Sequence, residues 1–251
     1  LLGLPLLAWL GLVLTLAGWL TAMSFLVGLL WRAKQTNWHA IACIVALSLG
    51  AIGLLLALAW LYTGDGRLMF ASIKFGSFGL LLPMYLTVAH RMFPFFAGVV
   101  VPGYRVFRPM PALAAMWALC LAHLGLELVH GYAWLWAVDA PMAGLAAWLL
   151  WCWRVPASAP ALLRVLFAGY AWLPLAMLLY TGQSLWFATT GAFILGRAPA
   201  HALFIGFFGS LLVAMVTRVT QGHSGRVLEL GRSAAFAFVT LQFVAVMRIA
   251  A

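Results

Sequence analysis

The sequence predicts an all-α fold: a polytopic transmembrane helical bundle of about eight helices, in one domain covering residues 1–251. Three observations carry this. Of 251 residues, 67% are hydrophobic and 7% charged, more apolar surface than a water-soluble domain needs. Apolar runs of about 20 residues, the length that crosses a bilayer as a helix, recur along the chain. Segments of about ten residues with alternating polarity, the mark of a membrane β-barrel, are missing from the sequence.

The elements follow in order. Helix α1 is expected at about 5–30, ending at Trp31-Arg32-Ala33-Lys34. Helix α2 is expected at about 38–62, with Trp38 and Tyr62 at its ends, where interfacial aromatics sit. Thr63-Gly64-Asp65-Gly66 reads as a short turn. Helix α3, about 67–92, carries Lys74 inside it. A loop over 93–109 holds Pro94, Pro102, Gly103, Arg105 and Arg108. Helix α4 is expected at about 111–131. The aromatic stretch Tyr132–Trp136 is an interfacial segment or the start of α5, which ends near Trp151–Arg154. Pro156 and Pro160 punctuate the next loop. Helix α6, about 161–182, contains Pro174, a kink site. Residues 183–197 form a semi-polar loop or a short re-entrant helix. Helix α7 belongs to the stretch 199–226, with Pro199 in its first turn and Gly222 and Gly225 at its end. Helix α8 is expected at about 232–250.

The charge pattern sets the topology. Loops after α1, α3, α5 and α7 hold ten cations: Arg32, Lys34, Arg91, Arg105, Arg108, Arg154, Arg164, Arg218, Arg226 and Arg232. The other loops and their flanks hold three, Arg67, Lys74 and Arg197, and Arg248 closes the chain. Positive residues mark cytoplasmic loops, so the odd loops face inward and both ends face outward. The net charge of +10 is therefore a topology signal, and no nucleic-acid partner is expected; the expected surroundings are membrane lipid. The sequence starts at Leu1 inside an apolar run, which predicts a piece of a longer membrane protein with at least one further helix upstream. Cys43, Cys120 and Cys152 have no CxxC spacing and read as buried thiols.

Six histidines fall onto this topology. His39, His90 and His223 lie on the cytoplasmic side, and His130 and His201 on the outer side. Residues 201–220 rise roughly 30 Å at about 1.5 Å per residue, so His201 and His223 sit on opposite faces of the membrane. His123, Glu127 and His130 are spaced by four and seven, and so share one face of α4 within about 40°. Such groups are costly in lipid and face a bundle interior or cavity. They read as metal or haem ligands, or as a satisfied polar network between helices. Glu127-x-x-His130 also has the di-iron spacing, but those bundles need several more carboxylates than the four acids of this chain allow.

Lys74 and Glu127 lie at similar depth and are expected within salt-bridge distance; the alternative is a Lys74 that snorkels to the surface. His90, Arg91, Arg218, His223 and Arg226 could hold a haem through imidazole and its propionates through guanidinium, or act as topology signals and loop hydrogen bonders. The first four are expected to line a cytoplasmic pocket. On the outer side, His130 and His201 agree in depth within about one turn, ~5 Å. They are expected to sit on neighbouring helices α4 and α7, facing a shared interior with His123 and Glu127. His39 reads as an interfacial residue, and Gly206 and Gly209 as close-packing positions.

Several segments together resemble the NnrS family. His201-Ala-Leu-Phe-Ile-Gly-Phe-Phe-Gly through Thr217-Arg218-Val-Thr-Gln-Gly222-His223-Ser-Gly225-Arg226 is similar to its hallmark segment. Arg91-Met-Phe-Pro94-Phe95-Phe96 resembles its Arg-Met-Ile-Pro-Phe-Phe element, and Gly169-Tyr170-Ala-Trp172 its Gly-Tyr-Ala-Trp element. They occur in the family's order over residues 90–226. The resemblance implies a multi-pass bacterial inner-membrane protein that binds haem b and copper and serves nitric oxide metabolism, denitrification and protection from nitrosative stress. By their placement along the helices, the candidate metal ligands are His90, His123, His130, His201 and His223. Two departures stand beside it. The family's Gly-Phe-Arg-Pro-Phe-Phe and His-Ala-His-Glu-Met elements are missing, and Phe167 stands where many members have a histidine before Gly-Tyr-Ala-Trp. These departures imply a fragment or a divergent member lacking the N-terminal part. Two other function classes fit the residues: a non-catalytic subunit of a larger membrane complex, and a transporter built around Lys74, Glu127 and Pro174.

Overall fold

The computed structural model of the protein describes residues 3–33 and 36–251, with side chains from residue 6 onward. Leu1 and Lys34, the start of the sequence and one cation of the first loop, lie outside the described residues. The described chain is built from helices: α1 Gly3–Arg32, α2 Trp38–Thr63, α3 Gly66–Val100, α4 Met110–Leu128, α5 Trp136–Trp153, α6 Ala161–Thr190, α7 Ala198–His223 and α8 Arg232–Ala250. Seven of these are long and apolar enough to cross a membrane. The eighth, α5, has 18 residues, four of them tryptophan, and carries the buried Asp139.

The α2–α3 turn follows its side-chain chemistry. Gly64 takes the left-handed conformation (φ 71°) and donates its N–H to Trp60 O, closing α2 where a Cβ would be strained. Asp65 then accepts from Arg67 N at 2.9 Å, capping the orphan donors of α3.

Four boundaries differ from the sequence reading. Helix α3 does not stop near residue 92 but runs through Pro94 to Val100. Phe93, Phe96 and Ala97 are buried there, and their packing outweighs the one backbone bond that proline removes. Helix α4 stops at Leu128 rather than near 131, because His130 takes a positive φ of 56°. The start of α5 is a separate 3-10 turn, Tyr132–Trp134, pinned by Ser184. That hydroxyl donates to Tyr132 O (2.7 Å) and accepts from Trp136 N (2.9 Å). Finally, 183–190 is neither loop nor re-entrant: α6 continues to Thr190 and closes on Gly191 (φ 69°). Helix α6 does break at Ala171, three residues ahead of Pro174. Cys120 is buried as expected, whereas Cys43 and Cys152 are half-buried.

Two helices contain wide, π-type turns: Phe75–Leu81 in α3 and Ala202–Gly209 in α7. Each begins at the residue after a polar one, Lys74 and His201 respectively. Such insertions are rare and occur often at functional sites.

The chain forms two compact units. The first comprises the residues up to Ala89 together with Leu113–His130. In it, Ala46, Gly50, Gly53 and Ala57 give α2 a buried stripe of small residues, which lets backbones approach. Ser72 Oγ accordingly reaches Gly53 O at 2.8 Å. Trp19 Nε1 donates to Leu47 O (2.9 Å), tying α1 to α2. Trp117 Nε1 donates to Thr87 Oγ1 (2.9 Å), tying α4 to α3.

The second unit comprises His90–Ala112 and Gly131–Ala251. Helix α5 packs on the second half of α6, and α7 packs on α6 and α8. A polar clasp joins the last three: Trp172 Nε1 donates to Gln242 Oε1, and Gln242 Nε2 donates to Ser210 Oγ, both at 2.6 Å. Buried polar groups persist where they are paired in this way.

Candidate functional site

Within the first unit, the polar residues of α3 and α4 meet. Lys74 Nζ lies 2.9 Å from Glu127 Oε1, with side chains 20% and 5% exposed. The pair expected from matching depth is therefore formed, and Lys74 does not simply snorkel away. His123 Nε2 stands 3.6 Å from the same carboxylate oxygen. Its ring lies against Phe78, centroids 3.8 Å apart. Lys74 Nζ sits 5.2 Å from the Phe70 ring centre, and Phe70 in turn contacts the ring of His130 at 5.1 Å. His130, beyond the helix end and exposed, has left the α4 face that carries His123 and Glu127. The group is a buried ion pair flanked by imidazole and walled by phenyl rings. The ammonium already neutralises the carboxylate, the role a metal cation would play there.

Within the second unit, the three family-like segments converge on aromatic side chains. Tyr170 is fully buried, and its ring meets Phe93 (5.7 Å), Trp153 (5.5 Å) and Phe207 (5.9 Å). Trp153 is fixed from two sides: its Nε1 donates to Phe107 O (2.9 Å), and its carbonyl accepts from Tyr104 Oη (3.0 Å). His90 is buried beside it, ring centroids 6.0 Å apart, with its Nε2–H donating to Pro109 O at 3.1 Å. The buried guanidinium of Arg218 stacks 3.9 Å above Phe96, which joins the segment 91–96 to the segment 217–226. The other members of the expected cytoplasmic set, Arg91, His223 and Arg226, are exposed. Gln221 shapes the turn after α7, accepting from Glu229 N (3.1 Å) and donating to Glu229 O (2.9 Å).

His201 lies in the first turn of α7, against the last turn of α8. Its Nδ1 is 2.9 Å from Arg248 O. A carbonyl only accepts, so Nδ1 carries the proton and Nε2 is left as the basic nitrogen. This arrangement orients and tunes a ligating imidazole. His201 lines a cavity of about 480 Å³ together with Leu195, Arg197, Arg248 and Ile249. One imidazole, two guanidinium groups and apolar walls fit the axial ligand, the propionates and the porphyrin edge of a haem. The copper expectation fares differently: no group of three or more His, Cys, Asp or Glu side chains able to hold a metal ion occurs among the described residues, so no residues of this chain are assigned to copper.

Sequence reasoning missed two features. Arg248 was set aside as the cation that ends the chain, although the short connection 224–231 makes α7 and α8 antiparallel neighbours and brings the end of one to the start of the other. The Tyr170 cluster was missed because its rings come from four separate helices, and no local period links them.

No curated protein and no solved structure matches this chain. A family model described as "NnrS protein" matches residues 1–251, wider than the 90–226 that carry the recognisable segments. With the whole described helical array inside that match, the chain belongs to the NnrS family.

Proposed function

We propose that the protein is a haem b-binding membrane protein of the NnrS type, resident in the bacterial inner membrane and acting in the response to nitric oxide. The observation that carries the reading is the His201 Nδ1–H···O=C Arg248 hydrogen bond at 2.9 Å. It holds the imidazole in the tautomer that offers Nε2 to iron, at the edge of a cavity with two arginines. A haem bound there would supply an iron able to take up nitric oxide. The chain's own part is to orient His201 from the α8 backbone, to neutralise propionates through Arg197 and Arg248, and to present apolar Leu195 and Ile249 to the macrocycle. His90, with Nε2 committed to Pro109 O, serves packing rather than ligation in this reading.

Pyridine-haemochrome spectroscopy on the purified full chain tests the proposal. Haem is expected in the parent protein, retained in His90→Gln and lost in His201→Ala. A haem-free parent, or full haem in His201→Ala, overturns it. Metal analysis on the same samples decides whether copper accompanies the haem.

A further inference from the structure

We propose that the groove between α5 and α6 is a binding site for one anionic phospholipid. Ala147, Leu150 and Trp151 of α5 and Arg154, the residue just past its end, line this groove of about 410 Å³, together with Arg164 and Phe167 at the α6 side. The α5 residues are spaced by three and four, so they form a single face of the helix. Along that face the chemistry changes in order. Ala147 and Leu150 are apolar and lie within the helix. Trp151 and Arg154 follow at its end, where α5 stops at Trp153. Helix α6 mirrors this, with Arg164 in its first turn and Phe167 one turn further in. Both walls therefore run from apolar to cationic toward the same end, as a lipid does from acyl chain to headgroup.

The cationic end is built and electrically uncompensated. Arg154 stacks on Trp151, its guanidinium carbon 4.1 Å from the ring centre, and its Nη1 donates to Trp151 O at 3.2 Å. Two contacts fix the guanidinium and leave its remaining N–H groups for an outside acceptor. Neither Arg154 nor Arg164 forms an ion pair among the described residues, where the salt bridges are those made by Glu127. The whole chain has four acidic residues, so the missing anion has few sources within the protein. A phosphodiester between two arginines completes the pairing, and basic pockets between membrane helices bind acidic headgroups in this manner. Trp151 marks the headgroup level, the usual place of exposed tryptophan.

The test uses the purified full chain, reconstituted in nanodiscs of equal parts phosphatidylglycerol and phosphatidylethanolamine, with retained lipid read by native mass spectrometry. The parent protein is expected to retain phosphatidylglycerol in preference. Arg154→Gln and Arg164→Gln should each lower that retention by about five-fold, while Arg105→Gln, an exposed arginine outside the groove, leaves it unchanged. If either of these variants does not remain monodisperse, Ala147→Trp decides: it keeps both charges, fills the apolar lane and should release the lipid. Equal retention of the two lipids by the parent, undiminished phosphatidylglycerol in these variants, or equally strong binding of glycerol phosphate without acyl chains overturns the proposal.

Discussion

Lys74 and Glu127 meet at 2.9 Å across α3 and α4, and the carboxylate is almost fully buried. An ion pair in such surroundings gains little over an apolar pair, but removing one partner strands the other. Glu127→Leu should therefore destabilise the protein in detergent by about 3 kcal/mol, at the low end because Lys74 keeps some access to water. Lys74→Met combined with Glu127→Leu should recover most of that loss. Thermal unfolding of the three variants checks this, and a double variant as weak as the single would contradict it.

Gly206 lets α7 approach α6. A Cβ there would come within 2.5–2.8 Å of three ring atoms of Trp172. The indole is itself held by Gln242 and has little freedom to retreat. Gly206→Ala should cost about 1–3 kcal/mol through overpacking, whereas Gly144→Ala, with open space around it, should be close to neutral. Comparable melting temperatures for the two would refute the argument.

Tyr104 lies in the loop between α3 and α4. Burial, and secondarily the nearby Cys152, raise its phenol above the ordinary 10.0. The folded state therefore prefers the protonated phenol, which donates to Trp153 O. That contribution is complete below the ordinary value and fades as pH rises through the raised one. Melting temperature should fall more steeply above about pH 10 in the parent than in Tyr104→Phe. Parallel pH curves would exclude this role for Tyr104.

Arg248 contributes twice near His201, through its backbone carbonyl and its side chain. Arg248→Leu keeps the first and removes the second. On the proposed haem reading, it should weaken haem retention by about ten-fold, the loss of one charge-assisted pair, while the Soret spectrum of the residual haem stays unchanged. An altered ligation spectrum would show instead that the carbonyl had moved.

Much of this was legible in the sequence because it depends on neighbours along the chain. Thr63-Gly64-Asp65-Gly66 announced the turn that Gly64 and Asp65 close and cap, and matching depth announced Lys74 with Glu127. What escaped depends on distant partners. Pro94 argued for a loop, yet buried Phe93 and Ala97 carry the helix past it. His130 was placed on the α4 face by spacing, yet its own positive φ removes it. The NnrS resemblance was visible in three segments, but the side chains through which they meet, Tyr170 with Phe93 and Arg218 with Phe96, are a product of tertiary packing.

The wide turns in α3 and α7 act as phase shifters. Each extra residue advances the angular register of everything downstream by about 100°. One continuous rod can then address two audiences: α7 turns His201 toward the end of α8, and further along lays Arg218 over Phe96. Deleting one residue within 202–209 would restore regular winding and swing the far half of α7 out of phase. Such a deletion should be tolerated far less than one in the connection 224–231, and a deletion scan from α7 into that connection would expose the difference.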